Sequence, residues 1–216
     1  MLIPFNPEYF LQAPVALAIM LSTIGVSIWG LRNESVVDRS MLIPYDMLMY
    51  KEYWRIITSG WVHGSYLHLT FNMLTFYFFS FSLEHRLGHW QFGVLYIMAL
   101  LLSNGLVVLR HRSNTSYEGS VGASGAISGV ILSAVVCNPY MKFGLPLISQ
   151  QWPALQLPGY AVAAGFILYS GINLFRKSDM QINHDAHLWG AISGLGLTFL
   201  LKPSVTQILG RFIDNF

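Results

Sequence analysis

The stretch from Ala13 to Leu31, APVALAIMLSTIGVSIWGL, contains no Asp, Glu, Lys or Arg. A helix needs about 20 mostly apolar residues to cross the hydrocarbon core of a bilayer, and this stretch meets that need. The rest of the chain agrees with it. Of its 216 residues, 54% are hydrophobic and only 10% are charged, whereas a soluble domain has about 25% charged residues. The sequence therefore predicts a membrane protein.

Five further apolar stretches follow the first, at about 66–84, 91–109, 122–136, 159–175 and 186–201. Together the six predict an all-α, polytopic bundle of six transmembrane helices. We expect a single membrane domain over residues 1–216. Its parts are a first loop at about 32–65, a core at about 66–202 and a short tail at 203–216.

Two of the connecting loops are expected to have structure of their own. The first contains Trp54 and Trp61 among scattered charges. Mixed apolar and charged positions from Asp46 to Ile57 predict a short helix at the membrane interface, where Trp and Tyr rings are favoured. A later loop, Asn138 to Pro158, has four prolines and is predicted to run along the membrane face.

The overall charge and the cysteine content restrict the possible functions. The net charge of +2 is too small to indicate a nucleic-acid partner. The single cysteine, Cys137, cannot form an internal disulfide. The first dozen residues lack a basic segment, so no cleavable signal peptide is expected.

Four polar residues lie within the predicted membrane helices, where polar groups are costly and indicate function by default. His68 and Asn72 are four residues apart and therefore share a helical face. Ser124 and His187 each lie at the start of a predicted helix. Since the second, fourth and sixth helices run in the same direction, the four groups are expected at similar depth near one side of the membrane.

Ser124 and His187 have the side chains that nucleophilic catalysis requires. A serine hydroxyl needs an adjacent base, and an imidazole can accept its proton and return it to a leaving amine. The resulting oxyanion needs preorganised donors. Candidates are the Ser124 backbone N–H at a helix N-terminus, the Asn72 amide and the His68 ring.

Glycines on the same two helices favour a close approach of the serine and the histidine. Gly125 and Gly129 are four residues apart, as are Gly190 and Gly194. Small residues at this spacing let membrane helices pack closely. The two glycine faces are therefore expected to bring the hydroxyl and the imidazole within hydrogen-bond reach.

These residues resemble the motifs of the rhomboid family of intramembrane serine proteases, over about residues 53–194. The motifs occur in family order and are Trp54-Arg55, His63 with His68 and Asn72, Glu84 with Arg86, Gly122 to Gly125 around Ser124, and His187 with Gly190 and Gly194. The resemblance implies the six-helix layout and a serine endopeptidase with a Ser124–His187 dyad. It implies no third carboxylate and no cofactor or metal.

The resemblance also implies roles and partners for the rest of the site. His68 and Asn72 are expected to stabilise the oxyanion. The expected partners are the lipid bilayer and single-span transmembrane substrates, which would enter through a lateral opening between helices. Many family members have an aromatic residue four positions after the serine, stacked on the histidine. Here that position is Ser128.

Several nearby residues are expected to be structural. Asp185 is two residues from His187 and would face another side of the helix, so it is not expected to complete a triad. His184 is expected near the interface at the helix start. Trp54 and Arg55 should fix the first loop, and Glu84 and Arg86 are expected to tie a loop as a pair.

Three alternatives stay open. The first is a catalytically inactive rhomboid-like protein that binds membrane clients, although this chain has both Ser124 and His187. The second is a metal site built from His63, His68, His184 and His187, although the His-Glu-x-x-His motif is absent. The third is an ordinary transporter or structural membrane protein.

The family resemblance and the distribution of Lys and Arg predict opposite orientations of the chain in the membrane. The resemblance implies a bacterial inner membrane, with the active site opening to the extracytoplasmic side. Lys and Arg, which favour the cytoplasm, number eight on the side of the site and four on the other. Without the first loop the counts are equal, four and four. We expect the family orientation.

Overall fold

The computed structural model describes residues 7–115, 119–143, 156–173 and 184–214. This part of the chain is all-α, as predicted, apart from one short strand pair. The helices are α1 (Pro7–Leu11), α2 (Pro14–Arg32), α3 (Glu34–Ser40), α4 (Pro44–Tyr50), α5 (Arg55–Thr58), α6 (Tyr66–Leu87), α7 (His89–His111), α8 (Ser124–Cys137), α9 (Gly159–Asn173), α10 (His184–Leu201) and α11 (Val205–Ile213). Strands β1 (Lys142–Phe143) and β2 (Leu157–Pro158) pair antiparallel, with Lys142 opposite Pro158.

Six helices of the described part, between 14 and 23 residues long, match the six apolar stretches in position. By length and composition, α2 and α7 are each able to cross a membrane, and α10 with α11, bent by 110°, would be a third crossing. The helices α8 and α9 are shorter apolar segments. The count of six crossings therefore stays a prediction. Residues 144–155 of the proline-containing loop, and 174–175 at the end of the fifth stretch, lie outside the described residues.

A buried carboxylate fixes the start of α2. Pro14 occupies the first turn, where a missing N–H costs nothing. The Glu84 carboxylate, fully buried, accepts hydrogen bonds from the backbone N–H groups of Val15 and Ala16 at 3.2 and 2.6 Å. It also pairs with His89 Nδ1 at 2.6 Å. The expected Glu84–Arg86 pair is therefore wrong, because Glu84 caps a helix N-terminus instead.

The first loop folds around Arg55, which is buried as its predicted structural role requires. The guanidinium donates to the carbonyls of Asp38 and Met41 at 2.6 and 2.8 Å and pairs with Glu52 at 2.6 Å. The predicted helix from Asp46 to Ile57 is wrong as a single element. It is divided into α4 and α5 because Lys51 adopts a left-handed conformation with φ of 61°, which ends α4.

Helices α8 and α10 cross in direct backbone contact. A Cβ placed on Gly190 would overlap the carbonyl of Gly125, and one placed on Gly194 would overlap the backbone of Gly129. The predicted glycine faces therefore meet. One turn further from the site, the Thr198 hydroxyl donates to the Ser133 hydroxyl at 2.7 Å. The two helices are thus joined by backbone contact and by a buried polar pair.

Candidate active site

The chain enters α8 through a segment that the first loop holds in place. Leu42 and Ser120 form a two-way backbone bridge, with both N···O distances at 2.9 Å. The Gly122 N–H donates to the Ser59 carbonyl at 2.9 Å. Gly122 has φ of +114°, and a Cβ there would lie 2.8 Å from His68 Cε1. Only glycine fits this position, so the His68 ring lies directly beside the turn that leads to Ser124.

Ser124 and His187 lie on adjacent turns of the two helices that make the glycine contact. Ser124 is the first residue of α8, and His187 is in the first turn of α10. A Cβ on Gly125 would lie 3.4 Å from the Ala186 carbonyl, so the neighbours of the two residues are in contact. No hydrogen bond joins the Ser124 hydroxyl to the His187 ring among the described residues. Catalytic hydrogen bonds are often long or poorly aligned before a substrate binds.

The His187 imidazole is held by rings rather than by hydrogen bonds. Its Nδ1 is buried and has no hydrogen-bond partner in the described part of the chain. The Phe166 ring of α9 lies 5.5 Å away, centroid to centroid, tilted by 36°. The His184 ring lies 6.0 Å away at 83°. His184 is buried and begins α10; its expected position near the interface stays a prediction.

Sequence reasoning missed Phe166. It lies 21 positions before His187, on a helix with no polar motif, and no spacing rule relates the two residues. The sequence left open which group supports the His187 ring, because Ser128 stands at the position that the resemblance assigns to an aromatic residue. Ser128 is buried and its hydroxyl donates to the Ser124 carbonyl at 2.6 Å.

His68 and Asn72 are at the same end of the bundle as Ser124 and His187. The Ser65 hydroxyl caps α6 by accepting a hydrogen bond from the His68 backbone N–H at 3.1 Å. The buried Asn72 amide donates one hydrogen bond to the His68 carbonyl at 3.0 Å. A carboxamide has two N–H donors, so a second one is left.

His63 lies behind His68 and is fixed by a small polar network. The Ser27 hydroxyl donates to the Trp61 carbonyl at 2.8 Å and lies 2.7 Å from His63 Nδ1. We therefore assign the proton of His63 to Nδ1. Burial, and secondly the neighbouring His68, lowers the pKa of His63 to about 3. Its neutral ring contacts the His68 ring edge to face, 5.0 Å between centroids.

Asp185 binds groups other than His187. Its carboxylate pairs with Arg110 Nη1 at 2.5 Å and with His111 Nε2 at 2.6 Å. Both partners are at the end of α7, so the carboxylate ties the start of α10 to α7. The expectation that Asp185 is structural is consistent with this geometry.

The structure also shows where the four histidines of the metal-site alternative lie. Within residues 7–115, 119–143, 156–173 and 184–214, no group of three or more His, Cys, Asp or Glu side chains is arranged to hold a metal ion. Ring contacts join His63 to His68 and His184 to His187.

Comparison with known proteins relates most of the chain to one family. The family model described as Rhomboid domain matches residues 50–204. RHOMBOID-like protein 5 of Arabidopsis thaliana is 28% identical over 195 residues, covering 88% of this chain and 56% of the relative. Rhomboid protease GlpG of Salmonella typhi is 26% identical over 192 residues, covering 87% and 63%. RHOMBOID-like protein 1 of Arabidopsis thaliana is 29% identical over 185 residues, covering 83% and 42%. The chain thus spans about half the length of these relatives.

Proposed function

The chain belongs to the rhomboid family of integral membrane proteins, and we propose that it is a serine endopeptidase that cleaves transmembrane segments within the bilayer. The contact of Gly125 with Gly190 carries the proposal, because it brings the helix that begins with Ser124 against the first turns of the helix that carries His187. A second support is the relationship to a relative named as a protease.

In the proposed reaction, the Ser124 hydroxyl oxygen attacks the carbonyl carbon of the scissile peptide bond, and His187 accepts the hydroxyl proton. The C–N bond then breaks, and His187 returns that proton to the leaving amine. An ester between Ser124 and the substrate's carbonyl half remains. A water molecule, deprotonated by His187, hydrolyses this ester and releases Ser124.

Three donors are available for the oxyanion of both steps. They are the His68 ring, the second N–H of the Asn72 amide and the backbone N–H of Ser124. The last belongs to the first turn of a helix, where backbone N–H groups have no partner within the helix. Preorganised donors of this kind are worth about 3–4 kcal/mol each in known enzymes.

The proposal also covers the substrates, the membrane topology and the orientation of the chain. Six membrane crossings would surround the site, and single-span transmembrane proteins would be the substrates. We expect a bacterial inner membrane, with Ser124 opening to the extracytoplasmic side and no requirement for a cofactor.

The direct test is cleavage of a model transmembrane substrate by the purified protein in detergent or liposomes. We expect Ser124→Ala and His187→Ala each to abolish cleavage while the protein keeps its fold and its thermal unfolding midpoint. Full activity of Ser124→Ala would refute the dyad. If the unsubstituted chain binds the substrate but never cuts it, the alternative of an inactive client-binding relative is correct.

A further inference from the structure

The His187 ring needs an external support, which its own hydrogen bonds do not give. A general base works only if its nitrogen keeps a fixed direction toward the nucleophile. The carboxylate closest in sequence, Asp185, is paired with Arg110 and His111. His187 Nδ1 has no hydrogen-bond partner among the described residues. Rotation of the imidazole about its side-chain bonds is therefore limited by packing.

Of the two rings beside His187, only Phe166 can fix it relative to the rest of the molecule. His184 is one turn earlier on the same helix, so it moves together with His187. Phe166 comes from α9 and presents its ring at 5.5 Å with a 36° tilt. Ring pairs at such distances attract each other beyond the apolar area that they bury. The Phe166 ring therefore favours one rotamer of the imidazole over its alternatives.

We propose that Phe166 is a positioning residue, which holds the His187 imidazole in the orientation that receives the Ser124 proton. This proposal rests on the proposed function. It assigns to a neighbouring helix the support that Ser128, with its short side chain, cannot give. Phe166 does not touch the reacting atoms and acts only through the histidine.

The location of Phe166 has a consequence for the helix that carries it. Among the described side chains of α9, only Ala163 is buried, and Leu168 is 64% exposed. The helix is therefore at the edge of the bundle. A displacement of α9 would carry Phe166 away from His187, so the orientation of the base depends on where α9 lies.

The test compares three variants of the full chain in detergent, which are Phe166→Leu, Phe166→Tyr and the matched control Leu168→Ala. The control removes an exposed side chain from the same helix. The measurements are kcat and KM for a model transmembrane substrate and the rate at which a fluorophosphonate labels Ser124. In an inactive Ser124→Ala background, NMR of the His187 ring protons reports the ring contact independently of activity.

We expect Phe166→Leu to lower kcat and the labelling rate by about tenfold or more, with KM changed less than about twofold. Phe166→Tyr, which keeps an aromatic ring, should retain kcat and the labelling rate of the unsubstituted chain. Leu168→Ala should also leave kcat and the labelling rate unchanged. The His187 ring protons should shift in Phe166→Leu and not in Leu168→Ala. Labelling of Phe166→Leu at the unsubstituted rate, or unshifted His187 protons, would overturn the proposal while leaving the dyad intact. Absence of labelling in the unsubstituted chain would overturn the proposed function itself, and with it the role of Phe166.

Discussion

At the scale of single residues, the site combines a hydroxyl, two imidazoles and an amide without a carboxylate partner for His187 among the described residues. Asp185 is the acidic residue nearest to His187 in sequence, and Arg110 and His111 hold both of its oxygens. This pairing makes Asp185 a tie between helices. We therefore expect Asp185 to contribute to the stability of the fold and not to the chemical step.

Replacement of Asp185 by Asn should accordingly destabilise the fold by about 1–3 kcal/mol, because Arg110 and His111 lose the carboxylate that binds both, and an amide offers them only one acceptor oxygen. Fluorophosphonate labelling should stay near the unsubstituted rate, measured below the unfolding midpoint. The matched control is Asp38→Asn, an exposed aspartate of the first loop, which should change neither quantity. Complete loss of labelling by a folded Asp185→Asn protein would instead make the carboxylate part of the catalytic apparatus.

Replacement of Asn72 tests whether its amide donates a hydrogen bond to the oxyanion. Asn72→Ala should reduce kcat by about a hundredfold to a thousandfold, since one donor is worth about 3–4 kcal/mol at most, and it should leave KM nearly unchanged. Steady-state cleavage kinetics measure both values. A loss as complete as that of Ser124→Ala would indicate that the Asn72–His68 hydrogen bond supports the structure of α6 instead.

At the scale of elements, the contact of α8 with α10 sets the distance between the two catalytic candidates. The glycines at 125, 129, 190 and 194 could be read from the sequence, because their four-residue spacing on two apolar stretches predicts a close crossing. The buried pair of Ser133 and Thr198 in the same crossing was not predicted. Isolated hydroxyl residues in apolar helices carry no spacing signal that identifies their partners.

Two glycines of α10 allow a controlled test of this contact. A Cβ on Gly194 would overlap the backbone of Gly129, whereas one on Gly196 would have nothing within 4 Å. Gly194→Ala should therefore separate the helices and lower both the unfolding midpoint and cleavage. Gly196→Ala should be neutral or stabilise by up to about 1 kcal/mol through helix propensity. Equal behaviour of the two variants in thermal unfolding would contradict the tight crossing.

At the scale of the whole molecule, the sequence predicted the order of the helices and the end of the bundle at which the polar groups meet. Three features of the structure were not predicted from the sequence, each for a physical reason. The break at Lys51 is a backbone conformation that residue type alone does not reveal. The capping of α2 by Glu84 joins positions 68 residues apart. Phe166 reaches His187 from a separate helix, which periodicity along one segment cannot indicate.

The orientation in the membrane is a prediction for the intact molecule. In a Cys137→Ala background, Lys51→Cys in the first loop should react with an impermeant maleimide added to intact bacterial cells. Gln207→Cys, exposed on α11 at the opposite end, should react only after the membrane is broken. The reverse labelling pattern would place Ser124 on the cytoplasmic side, as the raw Lys and Arg count suggests.

The central claim is that Ser124 is a nucleophile activated by His187, and covalent labelling by a fluorophosphonate tests it most directly. The probe reacts with an activated serine and requires no knowledge of the substrate. We predict stoichiometric labelling of the purified protein, no labelling of Ser124→Ala, and strongly slowed labelling of His187→Ala. An unlabelled but folded protein, or a Ser124→Ala variant labelled as fast as the unsubstituted chain, would contradict the claim.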